Sequence, residues 1–328
     1  MNVLNEKLSW DKLLSTTSEY SKEAYNLTFQ DLKLRTYSRH NARVNVIAAN
    51  ETLRLIASGS RDRTVKIWSL DFHKDIEEGI EYTGSQLSYN KHHHNISDVF
   101  FNNNLVISSD SNIHIWDSEN GKNIHEYKIN RRIDLIKPYN NNIIGVSSDD
   151  EIIFLDQKQK KIANNWKLSI NSLLNCNIKS IAVSSENHTL AVGFSNGIIS
   201  IMDSRTGNIL SNWKAHENEI SHLSYYDKNY LISVSNTDKN ICLWNLMDNN
   251  HLVKTIKDIV ETPIYSIIDN NIITINNNNW ITINSINDSY QLYSSKIKLR
   301  TPITSLSILK YNKFFLFGNS EGEINLYA

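Results

Sequence analysis

A histidine, a serine and an aspartate near the N-terminal end are the residues of this sequence with the most evident chemical potential. His40, Ser58 and Asp62 are the residue types of a hydrolase triad, in which histidine takes a proton from serine and aspartate orients the histidine. No nucleophile elbow surrounds Ser58, however. A catalytic role for these residues must therefore be weighed against a structural one.

The aspartate belongs to a spacing that recurs along the chain. An aspartate stands six residues before a strand-ending tryptophan or leucine at four places: Asp62 before Trp68, Asp110 before Trp116, Asp149 before Leu155 and Asp238 before Trp244. At a tight turn, a carboxylate can accept hydrogen bonds from backbone N–H groups. Because one spacing that recurs in this way is typical of a structural position, we predict no catalytic residue and no enzymatic activity.

The segment from Leu55 to Leu70 indicates what this spacing builds. An apolar strand, Leu55–Ala57, leads into a polar turn, Ser58–Arg63, and an alternating strand follows before Trp68. This pattern predicts a β-hairpin. Weaker copies of the closing strand follow at Ile113–Asp117, Ile152–Asp156, Ile199–Asp203, Ile241–Asn245, Trp280–Ser285 and Ile324–Ala328.

The seven copies predict the fold class. They are mostly spaced by about 40 to 48 residues, which is the period of WD40 repeats and leaves room for four short strands each. We therefore predict an all-β fold, a seven-bladed WD40 β-propeller. The last copy stops at its third strand, so we expect the N-terminal strand Leu32–Tyr37 to close the last blade.

The first thirty residues differ from the rest. We predict that residues 1–30 form an N-terminal extension or linker and that residues 31–328 form the propeller. Leu4, Leu8, Trp10 and Leu14 could form a short amphipathic helix that packs on the edge of the domain. The alternative is a linker left from a larger polypeptide.

Similarity to WD40 proteins gives the polar residues a structural role. In those proteins a histidine before the first strand, the turn aspartate, a serine or threonine and the third-strand tryptophan form a hydrogen-bonded chain. The first copy carries all four: His40, Ser58, Asp62 and Trp68. Partial sets are His92, Asp110 and Trp116 in the second copy, Asp149 in the third, and His216, Asp238 and Trp244 in the fifth. Such a network stabilises a fold only when every member is satisfied.

Composition excludes several classes of function. A formal net charge of −1 and a pI near 6.8 give no general attraction to nucleic acid or to a membrane surface. No segment resembles a signal peptide or a membrane span, and the two cysteines fit a reducing, cytoplasmic compartment. His92, His93 and His94 could bind a metal, but no cysteine or carboxylate pattern supports such a site, and loop histidines beside a structural His92 are the favoured interpretation. No glycine-rich phosphate loop occurs. We predict no metal and no cofactor.

One surface departs from the near-neutral composition. In a propeller, the loop before the first strand and the turn between the second and third strands open on the same face. Basic residues occur in these segments of the first three copies: Arg39, Arg43, Arg61, Arg63, Lys91, Arg131 and Arg132. They could bind an acidic or phosphorylated peptide through bidentate arginine contacts. The alternative is a solvated rim, because Lys239 shows that a basic residue after the turn aspartate recurs.

Four longer stretches carry a more specific resemblance. They are SGSRDRTVKIWSL, SDSNIHIWDSENGK, AVGFSNGIISIMDSRTGNILSNWKAHENEI and LFGNSEGEINLYA. Together they resemble the C-terminal WD40 propeller of BEACH–WD40 proteins, in particular the amoebal LVS type with a kinase-like region before the BEACH domain. The resemblance implies a protein-docking scaffold in endosomal and lysosomal trafficking or autophagy, cytoplasmic or indirectly peripheral on endosomes.

No kinase-like or BEACH segment occurs in this sequence, so none of their properties is carried over. A generic WD40 adaptor, such as a substrate receptor of a ubiquitin ligase, is the alternative function, and an upstream recruiting motif would favour it. A propeller enzyme would need acidic or histidine residues that converge on a central channel. The predicted first strands are instead mostly apolar, serine or threonine.

Overall fold

A computed structural model describes most of the chain, and the architecture below refers to those residues. They are 32–37, 40–70, 82–140, 143–148, 151–167, 176–257, 264–268, 271–276, 278–286, 291–297, 301–311 and 313–328. The predicted extension of residues 1–30, Arg39 and Asp149 lie outside the described residues.

All regular structure in these residues is β-strand, beginning with β1 (Lys33–Tyr37). Sheet 1 has the order β2 (Val44–Asn50), β3 (Leu55–Ser60), β4 (Val65–Ser69), β6 (Leu87–Tyr89). Sheet 2 contains β7 (Asp98–Asn102), β8 (Leu105–Ser109), β9 (Ile113–Asp117) and β10 (Asn123–Tyr127). Sheet 3 contains β11 (Leu135–Tyr139), β12 (Ile143–Ser148), β13 (Glu151–Asp156) and β14 (Lys161–Lys167).

The remaining sheets follow the same order of strands. Sheet 4 contains β15 (Ile178–Ser184), β16 (Thr189–Phe194), β17 (Ile198–Asp203) and β18 (Ile209–Lys214). Sheet 5 contains β19 (His222–Tyr225), β20 (Tyr230–Ser235), β21 (Asn240–Asn245) and β22 (His251–Ile256). Sheet 6 contains β23 (Ile264–Ile268), β24 (Asn271–Ile275), β25 (Trp280–Ser285) and β26 (Gln291–Lys296). Sheet 7 contains β27 (Ile303–Ile308), β28 (Phe315–Asn319), β29 (Ile324–Tyr327), β1 and β5 (Tyr82–Thr83).

The seven sheets match the seven predicted copies, and each predicted closing strand is the third strand of its sheet. Four-stranded antiparallel sheets of this kind are typical of WD40 propeller blades, so the predicted all-β WD40 fold class is confirmed. The predicted first turn was too long, because β3 continues through Ser60 and is paired with β2 to that point. The turn of sheet 1 therefore begins at Arg61.

The N-terminal strand β1 pairs antiparallel with β29, as the sequence predicted. Tyr37 of β1 is fully buried and its ring meets that of Trp68 edge-on, with the centroids 5.8 Å apart. The sequence did not predict β5, which pairs in parallel with β1 and makes sheet 7 five-stranded. In sequence, β5 thus lies between the third and fourth strands of sheet 1, although it belongs to sheet 7.

Glycine lets neighbouring sheets approach each other closely at one position of the second strand. A Cβ on Gly59 would collide with the side chain of Ile96, and a Cβ on Gly193 would lie 2.7 Å from Cγ2 of Ile220. Both contacts join a second strand to the segment that leads into the following sheet. Close packing of this kind is a recognised reason for glycine within a strand.

The chain divides into two compact units. Unit 1 comprises Met1–Val106, Asp117–Lys122 and Ile264–Ala328, and unit 2 comprises Ile107–Trp116 and Asn123–Pro263. In unit 1, Tyr37, Trp68 and Leu326 belong to one buried cluster. In unit 2, the ring of Trp213 packs edge-on against that of Trp244 in the next sheet, with the ring centroids 5.6 Å apart. None of the described residues forms a helix that could cross a membrane.

Candidate functional site

The four polar residues of sheet 1 lie in one chain of hydrogen bonds. Trp68 Nε1 donates to Ser58 Oγ over 2.8 Å, and Ser58 Oγ lies 2.7 Å from Nε2 of His40. On the other side of the ring, Nδ1 of His40 lies 2.9 Å from Oδ2 of Asp62. The chain thus runs from the third strand, through the second strand, to the turn.

The hydrogen bonds that link these four residues can all be donated in one direction, from Trp68 toward Asp62. An indole N–H only donates, so Ser58 Oγ accepts from Trp68 and its own proton goes to Nε2 of His40. A neutral His40 then donates its Nδ1 proton to Asp62, and every polar atom of the chain has a partner. His40, Ser58 and Trp68 are fully buried, so this complete pairing avoids the cost of an unsatisfied polar group.

Asp62 accepts hydrogen bonds with both carboxylate oxygens. Oδ2 also accepts from the backbone N–H of Asn41 at 2.9 Å, while Oδ1 accepts from the N–H and the hydroxyl of Thr64 at 2.9 and 2.6 Å. Burial alone would raise the pKa of Asp62, but the hydrogen bonds from His40, from Thr64 and from the Asn41 N–H hold that pKa far below its ordinary value. The carboxylate therefore fastens the turn to the preceding loop.

The arrangement offers no route to acyl-transfer chemistry. Ser58 is fully buried in the middle of a central strand, where its oxygen cannot meet a substrate. The sequence also contains Gly-x-Ser-x-Gly at Gly193–Gly197, a feature that sequence reasoning missed. That serine lies in a hairpin turn, where its N–H bonds to the carbonyl of Asn177, and not at a strand-to-helix elbow.

Sheet 5 contains a second version of the chain with a different turn. Nε2 of His216 lies 2.7 Å from Ser233 Oγ, and Trp244 Nε1 donates to the same oxygen over 2.8 Å. However, Nδ1 of His216 is 3.7 Å from Asp238, beyond hydrogen-bond distance. Asp238 instead accepts from the side-chain amide of Asn218 at 2.6 Å. Ala42, which takes the place of Asn218 in sheet 1, offers no such donor.

The predicted network residues of the second copy, His92, Asp110 and Trp116, are all buried. Trp116 donates to Ser108 Oγ over 3.0 Å, and Asp110 accepts from the backbone N–H of Asn112 at 2.8 Å. His92 is buried with its ring 5.6 Å from that of Tyr89. His93 and His94, in contrast, are exposed.

The predicted basic residues differ in how their charges are matched. Arg131 lies 2.7 Å from a carboxylate oxygen of Glu151, and Arg132 lies 2.7 Å from one of Asp134. Arg43, Arg61, Arg63 and Lys91 are exposed, and no described carboxylate forms an ion pair with them. The basic surface with unmatched charge, here called the sheet 1 loop surface, therefore consists of Arg43, Arg61, Arg63 and Lys91 in unit 1.

Backbone hydrogen bonds hold the loop and the turn of this surface together. Arg61 N–H donates to the carbonyl of Arg43 over 2.9 Å, and Arg63 N–H donates to the carbonyl of Ser60 over 3.3 Å. On one side, His40 N–H donates to the carbonyl of Gly322, next to the exposed Glu321 of sheet 7. Backbone hydrogen bonds therefore fix the segments that carry Arg43, Arg61 and Arg63.

Comparison with known proteins agrees with the repeat analysis. The WD domain, G-beta repeat family matches residues 32–69, and the WD40 domain of anaphase-promoting complex subunit 4 matches residues 140–228. WD repeat-containing protein 81 of Danio rerio is 28% identical over 92% of this chain. The "Probable inactive serine/threonine-protein kinase lvsG" of Dictyostelium discoideum is 27% identical over 99% of the chain. Suppressor of organelle fusion 2 of Caenorhabditis elegans is 25% identical over 56% of it.

The chain spans only 15% and 16% of the length of the fish and amoebal relatives. The similarity therefore concerns a WD40 portion of much longer proteins. It confirms the predicted resemblance to WD40 repeats of the BEACH–WD40, LVS-type proteins. WD40 repeats are non-enzymatic modules that mediate protein–protein interaction, and this is the role the chain shares with them.

Proposed function

We propose that this chain of WD40 repeats is a docking module of a scaffold that acts on endosomes and lysosomes or in autophagy. The sheet 1 loop surface would bind an acidic or phosphorylated segment of a partner protein. The chain would be cytoplasmic and would reach the organelle surface through that partner. The observation that carries the proposal is the set of exposed cations without a described carboxylate partner: Arg43, Arg61, Arg63 and Lys91.

Charge and chemistry support a protein partner over a nucleic acid. The net charge of the chain is −1, so a cationic surface of four side chains is local and suits a short anionic segment. Arginine binds carboxylate and phosphate groups bidentately. The organelle role is supported by the name of the nematode relative, which refers to organelle fusion.

The test is a charge reversal with a matched control. A fluorescent fusion of the full chain is expressed in Dictyostelium cells as wild type, as Arg61→Glu/Arg63→Glu and as Thr237→Glu/Lys239→Glu. The control pair occupies the equivalent turn of sheet 5, because Asp238 corresponds to Asp62. Circular dichroism of each purified variant checks folding.

We expect the wild type and the sheet 5 variant to mark endosomal vesicles, while the sheet 1 variant is diffuse. In parallel, an immobilised pool of glutamate-rich peptides should retain the first two proteins and release the third. Equal distribution and equal peptide binding of all three folded proteins would refute the proposal.

A second candidate function is that of an adaptor subunit inside a stable multiprotein complex, such as a ubiquitin-ligase substrate receptor. The match of residues 140–228 to the WD40 domain of an anaphase-promoting complex subunit favours it. Native size-exclusion chromatography of cell extract separates the two functions. A stoichiometric complex that survives the Arg61→Glu/Arg63→Glu exchange would support the adaptor.

A further inference from the structure

We propose that Arg43, Arg61 and Arg63 form a site for a phosphorylated side chain, and that Arg63 gives this site its preference for phosphate over carboxylate. The proposal rests on the proposed function, since the phosphorylated segment belongs to the protein that docks on the sheet 1 loop surface. It narrows that partner from an acidic segment to a phosphorylated one.

The three arginines surround one turn whose only carboxylate is already used. Arg61 and Arg63 flank Asp62, and the N–H of Arg61 is bonded to the carbonyl of Arg43. Asp62 directs its oxygens toward His40, Asn41 and Thr64 and is only 8% exposed. The Asp62 carboxylate is therefore occupied by hydrogen bonds within sheet 1, and the guanidinium groups of the arginines are available to a ligand.

A triple of arginines is particular to sheet 1 and is not a property of the repeat. The bond from Arg61 N–H to the Arg43 carbonyl recurs from Ser195 to Asn177 in sheet 4 and from Ser320 to Pro302 in sheet 7, which fixes the equivalent positions. These positions are Asn177, Ser195 and Gly197 in sheet 4 and Pro302, Ser320 and Gly322 in sheet 7. In sheet 5, alignment of His216 with His40 and of Asp238 with Asp62 gives Glu219, Thr237 and Lys239. Sheet 5 shares one basic residue with sheet 1, and sheets 4 and 7 share none.

Arg63 also occupies a backbone conformation that disfavours it. Its φ is +69°, whereas glycine takes the equivalent position in sheets 4 and 7, with φ of +79° at Gly197 and +91° at Gly322. A left-handed conformation is strained for an L side chain and is relieved by glycine. Strained positions of this kind cluster where a side chain serves a ligand. Sheet 1 therefore holds an exposed arginine, without a described ion pair, where sheets 4 and 7 have glycine and sheet 5 has Lys239 with φ of +56°.

The charge and shape of the site favour phosphate. A phosphorylated side chain carries close to two negative charges and three acceptor oxygens, so several guanidinium groups can bind it at once. A carboxylate carries one charge and is satisfied by one bidentate arginine. With Arg61 and Arg63 two residues apart and Arg43 bonded through its backbone to the same turn, a dianion matches the local charge better than a carboxylate does.

The experiment uses the full chain and three pools of fluorescein-labelled nine-residue peptides with degenerate flanks. The pools carry phosphoserine, glutamate or serine at the centre, and binding is measured by fluorescence anisotropy. The variants are Arg63→Gly and, as matched control, Lys239→Gly at the equivalent turn of sheet 5, where φ is +56°. Both exchanges relieve the left-handed strain, and thermal unfolding records the relief.

We expect the wild type to bind the phosphoserine pool about tenfold more tightly than the glutamate pool, as several charge-assisted bonds would give. Arg63→Gly should raise the unfolding temperature and remove most of this preference, whereas Lys239→Gly should raise the unfolding temperature and leave binding unchanged. Arg61→Glu/Arg63→Glu should abolish binding of both anionic pools.

The possible failures are distinguishable. Equal binding of the phosphoserine and glutamate pools, both lost in the double reversal, would overturn the phosphate site and leave the proposed docking of an acidic segment in place. Unchanged phosphoserine binding by a stabilised Arg63→Gly would overturn the role of Arg63. Failure of both anionic pools to bind the wild type more tightly than the serine pool would overturn the proposed function together with this site.

Discussion

Replacement of Ser58 by alanine tests whether the buried hydrogen-bond chain holds sheet 1 together. The exchange removes one oxygen that accepts from Trp68 Nε1 at 2.8 Å and donates to His40 Nε2 at 2.7 Å. All three side chains are fully buried, so neither orphaned group can turn to solvent. Since each unsatisfied buried polar group costs about 1–3 kcal/mol, we expect Ser58→Ala to lower the free energy of unfolding by about 3 kcal/mol.

The assay is urea unfolding followed by far-ultraviolet circular dichroism, with Ser88→Ala as the matched control. The Ser88 hydroxyl is on the same sheet and donates one exposed hydrogen bond to Asn90 over 2.8 Å. Its loss should change the free energy of unfolding by less than about 0.5 kcal/mol. A cost for Ser58→Ala no larger than that of the control would refute the reasoning.

A double-mutant cycle with Trp68→Phe separates the hydrogen bond from the change in volume. In the Trp68→Phe background there is no indole N–H to orphan, so Ser58→Ala should cost less there by about 1–2 kcal/mol. Additive costs would show that the bond between Trp68 and Ser58 contributes nothing to stability, whatever the total loss.

Two further predictions concern packing and pH. Gly59→Ala should destabilise the fold by about 1–3 kcal/mol, because the added Cβ would collide with Ile96. The control Gly84→Ala should be neutral, because its added Cβ would have no atom within 4 Å. Equal urea unfolding midpoints of the two variants would contradict the packing role of Gly59. Burial lowers the pKa of His216, so the unfolded chain binds its proton first as the pH falls below about 6.5. Stability should therefore fall from pH 7.5 to 5.5, with a shallower slope in His216→Asn; identical slopes of the urea midpoint would contradict it.

The sequence predicted the elements that depend on local pattern. The period-2 alternation and the fixed distance from Asp62 to Trp68 predicted the hairpin and its copies, because those features are set by residues adjacent in sequence. The two-residue strand β5 could not be predicted, because Tyr82–Thr83 is too short for a pattern and its partner β1 is remote in the chain. The pairing of Arg131 with Glu151 likewise depends on how a loop meets the start of β13.

The similar histidine and aspartate motifs of sheets 1 and 5 form different hydrogen bonds. The sequence places His216 and Asp238 as it places His40 and Asp62, yet the two pairs are 3.7 Å and 2.9 Å apart. The two turns also differ, because Asp238 follows Ser233 by five residues whereas Asp62 follows Ser58 by four, and Asp238 accepts a hydrogen bond from the side-chain amide of Asn218. A family pattern therefore predicts which residues are near each other, while neighbours outside the pattern decide which bonds they form.

The turn of sheet 1 contains both a stabilising residue, Asp62, and a proposed ligand-binding residue, Arg63. Replacement of the two residues should change the stability of the fold in opposite directions. Asp62 stabilises the turn, so its loss should lower stability and disturb binding together. Arg63→Gly relieves about 1–2 kcal/mol of left-handed strain and loses about 0.4–1 kcal/mol through the freer unfolded chain, for a net gain of at most about 1.6 kcal/mol. A variant that becomes more stable while it binds phosphoserine less tightly cannot have lost binding through unfolding.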